Sequence, residues 1–434
     1  MKVKLGEICD ISSAKRVFEK EYVAKGVPFI RGLEISNGSI LNENTLFECY
    51  ISEERYQELK MLYGVPQKGD ILITAVGTIG NLCYIDSNRE FYFKDGNIIW
   101  LKNFQKDIYS QYLYYFMKSP FFKNQLEHAM IGAVQKALTM IMLEKIEIEL
   151  PSYEMQISIA SILSCIDLKI KNNIQINMEL ESMAKTIYDY WFLQFEFPNE
   201  DGKPYKSSGG KMVWNEEMKR EIPEGWKAGR LNQLIKQDKG GDWGKELPEG
   251  NYLKKVTCLR GSDIPSICGP AKLEAPERFI NEKNTFKILK EGDLIIEISG
   301  GSPTQSTGRI CYINTNVLKR FENEIITSNF CKAINLIDKD FMYWFYILWC
   351  KLYDSGVLYK YEGKTTGIKN LLFEMFCRDY PIIIPNTNVI KKYNNKMENL
   401  FDVIQKNLLE NAELSSLRDF LLPLLMNGQV GFKS

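Results

Sequence analysis

The sequence predicts an α+β fold in which two β-rich modules alternate with two long α-helices. Strand-like motifs occur twice in the same order along the chain, and a helical spacing of apolar residues follows each set. The 434 residues, 45% of them apolar, suffice for two or three domains. We therefore expect a pseudo-twofold internal repeat that covers the whole chain.

The strand motifs of the first module, residues 1–151, have counterparts in the second module, residues 226–385. In each motif a glycine turn or a proline borders a short apolar run, which is typical of β-strands. The matching pairs are Phe29–Gly32 with Cys258–Gly261, Lys68–Ile73 with Glu291–Ile296, Gly80–Ile85 with Gly308–Ile313, and Ile146–Pro151 with Tyr380–Pro385. Both modules are thus predicted to share one β-rich architecture.

A long helix is predicted after each module, within residues 152–195 and 386–434. Apolar residues recur at three- and four-residue steps, and a single offset of 234 relates the two series. The first series is Ile159, Leu163, Ile166, Ile170, Ile174, Leu180, Met183, Ile187 and Trp191; the second is Tyr393, Met397, Leu400, Ile404, Leu408, Leu414, Leu417, Leu421 and Leu425. Because a helix of about forty residues reaches roughly 60 Å, we expect the two helices to pair as an antiparallel coiled coil.

Asn177 and Asn411 interrupt the two apolar series at equivalent positions. A buried asparagine fixes the register of a helix pair, whereas an asparagine at a stutter in the series faces solvent. The sequence leaves both interpretations open.

Residues 196–225 separate the first helix from the second module. Their first half is rich in Pro, Gly, Ser and Lys, a composition that predicts a linker.

Most forms of site chemistry lack the residues that they need. His128 is the only histidine, and no two of the ten cysteines stand in a C-x-x-C spacing, so we expect no catalytic residue, metal or cofactor. Gly363-Lys364-Thr365 lacks the glycine that a phosphate-binding loop needs five positions earlier, where Leu358 stands. The longest apolar run, Phe341–Cys350, is too short to cross a membrane, and no signal peptide is evident. We expect a cytoplasmic protein.

Further segments complete a recognisable pattern: Gly301–Arg309, Gly367–Leu371, Tyr188–Phe192, Gly202–Lys211 and Pro223–Trp226. Over essentially the whole chain this pattern resembles the specificity subunits of type I restriction-modification systems. The resemblance implies two target recognition domains, each of which reads one half of a split, asymmetric site in double-stranded DNA. It also implies that the helix pair docks two methyltransferase subunits, through which restriction subunits join, and that this chain has no active site.

The resemblance also accounts for the charge of the chain. The 55 Lys and Arg residues equal the 55 Asp and Glu residues, which is unexpected for a protein that binds DNA alone. Methyltransferase subunits that help to surround the duplex would supply the missing phosphate neutralisation.

DNA-contact residues are predicted from side-chain chemistry. Arg and Lys suit guanine, Asn and Gln suit adenine, and Ser, Thr and Lys suit phosphates. On the module loops we select Arg31, Gln135, Lys136, Arg260, Thr304, Gln305, Lys364, Thr365 and Lys369. The alternative for each is a solvated side chain or a hydrogen bond within a turn. Because Ala75–Gly80 is shorter and less polar than Ser299–Gly308, the two modules should read different sequences.

The residues assigned to the helix pair or to its partner surface lie on both helices. They are Ile159, Leu163, Ile166, Ile170, Ile174, Leu180, Tyr190, Trp191, Met397, Leu400, Ile404, Leu408, Leu414 and Leu421.

Two other classes of function compete with DNA targeting. One is an enzyme, a nuclease or methyltransferase with dispersed carboxylates, which a metal- or methyl-donor-dependent activity of the purified chain would reveal. The other is a coiled-coil scaffold with two β-rich modules and no DNA contact. Charge reversal at Arg31 and Arg260 would leave DNA retention unchanged in a scaffold and abolish it in a DNA-binding protein.

Overall fold

The computed structural model describes residues 2–36, 47–130, 137–300, 305–365 and 368–430. Its mixture of helices and strands agrees with the predicted α+β class. The chain divides into two compact units, a first unit of residues 1–168 and 414–434 and a second unit of residues 169–413. Among the described residues, no helix combines the length and apolarity that crossing a membrane requires.

The first unit contains ten strands, six short helices and the start of a long helix. In chain order these are β1 (Lys2–Lys4), α1 (Leu5–Ile8), β2 (Asp10–Ser12), β3 (Tyr22–Val23), β4 (Val27–Ile30), α2 (Gly32–Ser36), β5 (Tyr50–Ile51), α3 (Glu53–Tyr63), β6 (Ile71–Thr74), β7 (Leu82–Tyr84), β8 (Tyr92–Phe93), β9 (Ile98–Lys102), α4 (Ser110–Lys118), α5 (Pro120–Met130), α6 (Met140–Glu144), β10 (Glu147–Glu149) and α7 (Tyr153–Tyr188). These counts cover only the described part of the unit.

The second unit contains the remaining elements and the start of the second long helix. They are β11 (Met212–Asn215), β12 (Arg220–Pro223), β13 (Lys227–Arg230), β14 (Ile235–Gly240), β15 (Tyr252–Leu259), α8 (Ile264–Cys268), β16 (Glu277–Asn281), β17 (Leu294–Glu297), β18 (Ser299–Gly300), β19 (Ile310–Tyr312), α9 (Thr315–Leu318), β20 (Ile325–Thr327), β21 (Cys331–Leu336), α10 (Met342–Asp354), β22 (Glu362–Thr365), β23 (Ile368–Leu371), α11 (Phe373–Asp379), β24 (Pro381–Ile384) and α12 (Thr387–Met426).

Each unit is built around one four-stranded antiparallel sheet. Its strand order is β2-β9-β6-β7 in the first unit and β14-β21-β17-β19 in the second. Two of the inner strands, β6 and β17, are buried along their whole length. A strand that is covered on both faces is mostly apolar, which explains the runs Ile71–Ile73 and Leu294–Ile296. Each run is followed by a buried polar residue, Thr74 or Glu297.

A Gly-Asp turn leads into each of these buried strands. Gly69 and Gly292 adopt φ of 98° and 92°, which favours glycine. The carboxylate of Asp70 accepts hydrogen bonds from the Gln67 amide and from Trp100 Nε1, each 2.8 Å long. Burial nevertheless raises the pKa of Asp70. The motif identified in the sequence is thus a turn whose aspartate is satisfied inside the protein.

The long helices follow the predicted series only in part. Ile159, Leu163, Trp191, Met397, Ile404 and Leu408 are buried, Ile166, Ile170, Ile174, Leu180, Leu400, Leu414 and Leu421 are half-buried, and Tyr190 is exposed. The predicted apolar series includes Met183 and Leu417, but these side chains are 51% and 46% exposed. Beside Met183, the buried residues of α7 are instead Ala184 and Tyr188. Apolarity alone selected the wrong residues because alanine and asparagine occupy much of the buried face.

Buried asparagines join the two helix segments of the second unit. Asn173 Nδ2 donates to Asn411 Oδ1 at 2.9 Å, and Asn407 Nδ2 donates to Asn177 Oδ1 at 2.8 Å. Asn177 Nδ2 also donates to the Ile404 carbonyl oxygen at 3.2 Å. The contacts run in opposite order along the two segments. Asn177 and Asn411 are buried, so a solvent-facing role for them is wrong.

Residues 196–225, interpreted from composition as a linker, are folded. The ring of Phe197 stacks on Tyr205 and Trp226 at centroid distances of 4.5 and 5.1 Å. Strands β11 and β12 form a hairpin, and Ile222 is buried with Trp226 in the core of the second unit. The few aromatic and apolar residues, rather than the many Pro, Gly and Ser residues, determine this structure.

The folded segment gives a first prediction. Trp226→Ala should lower the free energy of unfolding by about 3–5 kcal/mol because it leaves a cavity among packed rings. Trp214→Ala is the matched control, since Trp214 lies in the same segment and is 56% exposed; its effect should stay within about 0.5 kcal/mol. Urea unfolding followed by circular dichroism measures both, and equal effects would contradict the packing described here.

The buried asparagines give a second prediction. Asn177→Ala should lower the free energy of unfolding by about 1–3 kcal/mol, because the half-buried amide of Asn407 loses its acceptor. Asn172 is exposed on the same helix, so Asn172→Ala controls for the change in helix propensity. If both variants unfold at the same urea concentration, the amide contact contributes nothing measurable.

Candidate DNA interface

The predicted DNA-contact residues are described to different extents. Gln135, Lys136 and Thr304 lie outside the described residues. For Lys364 and Thr365 the structure describes only the backbone, which lies in β22 opposite Lys369 and Ile368. The remaining four predicted residues are Arg31, Arg260, Gln305 and Lys369, and their side chains are described.

A three-stranded antiparallel sheet contains three candidates of the second unit, Lys364, Thr365 and Lys369. Its strand order is β18-β23-β22, with Ser299 opposite Asn370 and Gly300 opposite Lys369. Lys369 Nζ donates to the carbonyl oxygen of Gln305 at 3.3 Å. Residues far apart in sequence therefore meet beside Ser299 and Gly300, which follow the end of β17. We call residues 305–308, β22 and β23 the loop surface.

Side chains that the sequence did not suggest fix the shape of the loop surface. Trp349 Nε1 donates to the Gly308 carbonyl oxygen at 2.7 Å, and Tyr353 Oη donates to that of Ser306 at 3.0 Å. Glu362 Oε1 accepts from the Thr307 amide at 2.7 Å. A loop that is already ordered loses less entropy on binding. The only sequence signal for these contacts was the presence of Trp349 and Tyr353, which carry hydrogen-bond donors, on the apolar helix α10.

The charge of Lys369 is partly balanced within the loop surface. Its ammonium lies 3.4 Å from Glu362 Oε2 and 5.4 Å from the centroid of the Tyr359 ring. The Glu362 side chain is only 6% exposed. Glu362 thus holds both the loop backbone and the lysine, so the surface is polar and hydrogen-bonding rather than strongly basic.

Arg31 and Arg260 have the same local structure in the two units. Each follows a strand and is bound by the acid three residues later, Glu34 or Asp263. Arg260 Nε and Nη2 donate to the two Asp263 oxygens at 2.9 Å, and its amide also donates to Asp263. Hydrogen bonds to these acids raise the pKa of both guanidinium groups. The sequence signal that was missed is the acid at the third position after Arg.

A buried ion pair lies beneath the Arg260 turn. Arg309 Nε donates to Glu297 Oε2 at 2.8 Å, and Glu297, the last residue of β17, is 4% exposed. A Cβ atom on Gly261 would lie 2.5 Å from Glu297 Oε1, and one on Gly300 would lie 3.1 Å away. A side chain at position 261 would therefore displace this carboxylate, and one at position 300 would press against it.

The corresponding strand end of the first unit has different chemistry. Thr74, the last residue of β6, donates from Oγ1 to the Thr78 carbonyl oxygen at 2.5 Å and accepts from the Asn81 amide at 2.9 Å. The amide of Leu138 donates to the Ala75 carbonyl oxygen at 2.9 Å, as that of Leu371 does to Ile298 at 2.8 Å. The two units thus share one backbone arrangement at this strand end but carry different side chains there.

Comparisons with known proteins agree on one class. Residues 1–182 match the family model described as the type I restriction modification DNA specificity domain. The type I restriction enzyme MjaIX specificity subunit of Methanocaldococcus jannaschii is 27% identical over 430 residues, which cover 95% of this chain and 88% of that protein. The putative type I restriction enzyme specificity subunit S.HindORF215P of Haemophilus influenzae is 33% identical over 162 residues, which cover 37% of this chain and 38% of that protein.

A solved structure shares the fold. The type I restriction-modification S subunit of M. genitalium superimposes with a TM-score of 0.58 at 15% identity, covering 98% of this chain and 95% of that one. This structure shows the fold alone, and the matched family model shows similarity to a DNA specificity domain over residues 1–182. The chain is thus similar over 95% of its length to a type I restriction enzyme specificity subunit, and its first 182 residues match the DNA specificity domain of that class.

The Arg260 contact gives a third prediction. Arg260→Ala should lower the free energy of unfolding by about 1–3 kcal/mol, because the buried Asp263 carboxylate loses two charged hydrogen bonds. The lower end is expected, since the Arg260 side chain is 39% exposed and screened by solvent.

The control is Lys272→Ala, because the Lys272 side chain is 85% exposed and its ion pair with Glu274 is 3.4 Å long. Its effect should stay within about 0.5 kcal/mol. An Arg260→Ala variant with unchanged stability and an altered DNA preference would instead make Arg260 a base-reading residue.

Proposed function

We propose that this chain directs an adenine methyltransferase, and through it restriction subunits, to a bipartite and asymmetric DNA sequence. Each unit would read one half of the site, and the chain itself would perform no chemistry. The observation that carries the proposal is the ordered loop surface at the end of β17, where Gln305 and Lys369 meet. Gln and Lys are residue types that read base edges and phosphates.

The asymmetry of the target is supported by the two strand ends. The same sheet order carries Thr74 at the end of β6 and the Glu297–Arg309 pair at the end of β17. Different hydrogen-bonding groups on one scaffold favour different bases. Of the residues predicted from sequence, Gln305 and Lys369 remain the best-supported candidates. Arg31 and Arg260 are weaker, since 2.9 Å hydrogen bonds to Glu34 and Asp263 hold their guanidinium groups, whereas the Lys369 ammonium lies 3.4 Å from Glu362.

The long helices support the proposed spacing and docking roles. Asn173, Asn177, Asn407 and Asn411 favour an antiparallel coiled coil with one register. Large apolar side chains on their surfaces favour a protein partner: Leu168, Ile176 and Met183 on α7 are 57%, 44% and 51% exposed, and Leu417 and Phe420 on α12 are 46% and 66% exposed. We propose that two methyltransferase subunits cover such positions together with Tyr190.

Methylome sequencing tests this proposal and gives a fourth prediction. A host that expresses the chain with its neighbouring methyltransferase gene should carry methyladenine at one split, asymmetric motif, and a host lacking only this chain should not. If all proteins are made and methylation is unchanged or absent in both hosts, the scaffold without DNA contact becomes the better interpretation.

Point variants in the same assay test which half of the DNA motif the second unit reads. Lys369→Ala should alter or weaken methylation through one half of the motif while the other half stays fixed. Lys283→Ala is the control, because Lys283 is exposed in the same unit and stands outside the loop surface. Changes in both halves of the motif would contradict the assignment of one half to each unit.

A further inference from the structure

Tyr359 presents an aromatic ring beside the loop surface of the second unit. It lies in a 3-10 turn, Leu358–Tyr361, and is 56% exposed. Its neighbours hold the turn in place. Leu358 is fully buried, with its Cδ1 atom only 2.7 Å from where a Cβ on Gly308 would stand, and the ring of Tyr361 packs on Phe376 at 4.9 Å. An exposed ring on a fixed turn is available to a ligand.

Lys369 connects this ring to the loop surface. Its ammonium lies 5.4 Å from the Tyr359 ring centroid and also donates to the Gln305 carbonyl oxygen at 3.3 Å. A cation near the face of a tyrosine ring is attracted to it, which restricts the orientation of the ring. Tyr359, Lys369 and Gln305 therefore belong to one continuous surface with an apolar part beside a polar part.

We infer that Tyr359 reads a thymine of the half-site by contact with its 5-methyl group. The inference rests on the proposed function. Inside a duplex the faces of the bases are covered by their neighbours, so a side chain that enters a groove meets only base edges. The apolar group on these edges is the thymine methyl group, which lies in the major groove. The Tyr359 ring supplies the apolar surface that such a methyl group needs, and Lys369 and Gln305 supply polar contacts beside it.

The test measures how tightly the chain, purified with its methyltransferase, binds duplexes that carry the sequence motif found by methylome sequencing. Each thymine of the half-site is replaced in turn by deoxyuridine, which differs only in lacking the methyl group. For the unmodified chain, one replacement should weaken binding about fourfold, the effect of one buried methyl-sized group. Tyr359→Ala should bind the thymine and deoxyuridine duplexes equally well at that position. Tyr359→Phe should keep the discrimination, because the ring makes the contact.

Phe286→Ala is the matched control. Phe286 is an aromatic residue of the same unit, is 58% exposed and lies outside the loop surface. This variant should keep the response of the unmodified chain to deoxyuridine.

Three results would overturn the inference. In the first, no deoxyuridine replacement weakens DNA binding by the unmodified chain, and in the second, Tyr359→Ala keeps the fourfold difference between thymine and deoxyuridine duplexes. In the third, Tyr359→Ala and Tyr359→Phe weaken binding to all duplexes equally, as loss of a phosphate contact would. If the proposed function itself is wrong, the complex will bind the motif no more tightly than a scrambled duplex.

Discussion

Buried carboxylates fix both ends of β17, an inner strand of the second unit's four-stranded sheet. Asp293 precedes β17 and is fully buried, and its carboxylate binds the Lys290 amide, Lys239 Nζ and Asn335 Nδ2 at 2.8, 3.1 and 3.2 Å. Glu297 ends the strand and binds Arg309. A buried charge without partners is costly, so each carboxylate imposes the position of the groups that satisfy it. The strand between them cannot slide without breaking both sets of contacts.

The loops depend on that fixed strand. Gly261 and Gly300 approach the Glu297 carboxylate so closely that no larger residue fits without movement. The backbone at Gly261 and at Gly300 therefore packs against the carboxylate of one ion pair. The remaining freedom of residues 305–308 is removed by Trp349, Tyr353 and Glu362. In the proposed function this order allows small differences between base edges to be detected, because a loop that adapts to every sequence cannot discriminate among them.

The sequence predicted the features that depend on near neighbours. The Gly-Asp turns lead into apolar runs that form strands β6 and β17. A positive φ at glycine and an aspartate that accepts from the amide three residues before it are local requirements. Contacts between distant residues were not predicted. Gln305 and Lys369 are 64 residues apart, and Asp70 and Trp100 are 30 apart. The choice of Met183 over Ala184 failed because size and apolarity cannot identify which helix face a partner covers.

The distribution of charge explains how a chain of zero formal charge suits the proposed role. Three of the four predicted DNA-contact residues with described side chains, Arg31, Arg260 and Lys369, have an acid of the same unit within 3.4 Å. These cations therefore contribute little to non-specific attraction for phosphates, which scales with the number of phosphates neutralised. Discrimination would then rest on the shape and hydrogen-bonding groups of the loop surface. The sequence-independent part of the affinity would come from the partner subunits, so the chain would select a site without holding DNA strongly by itself.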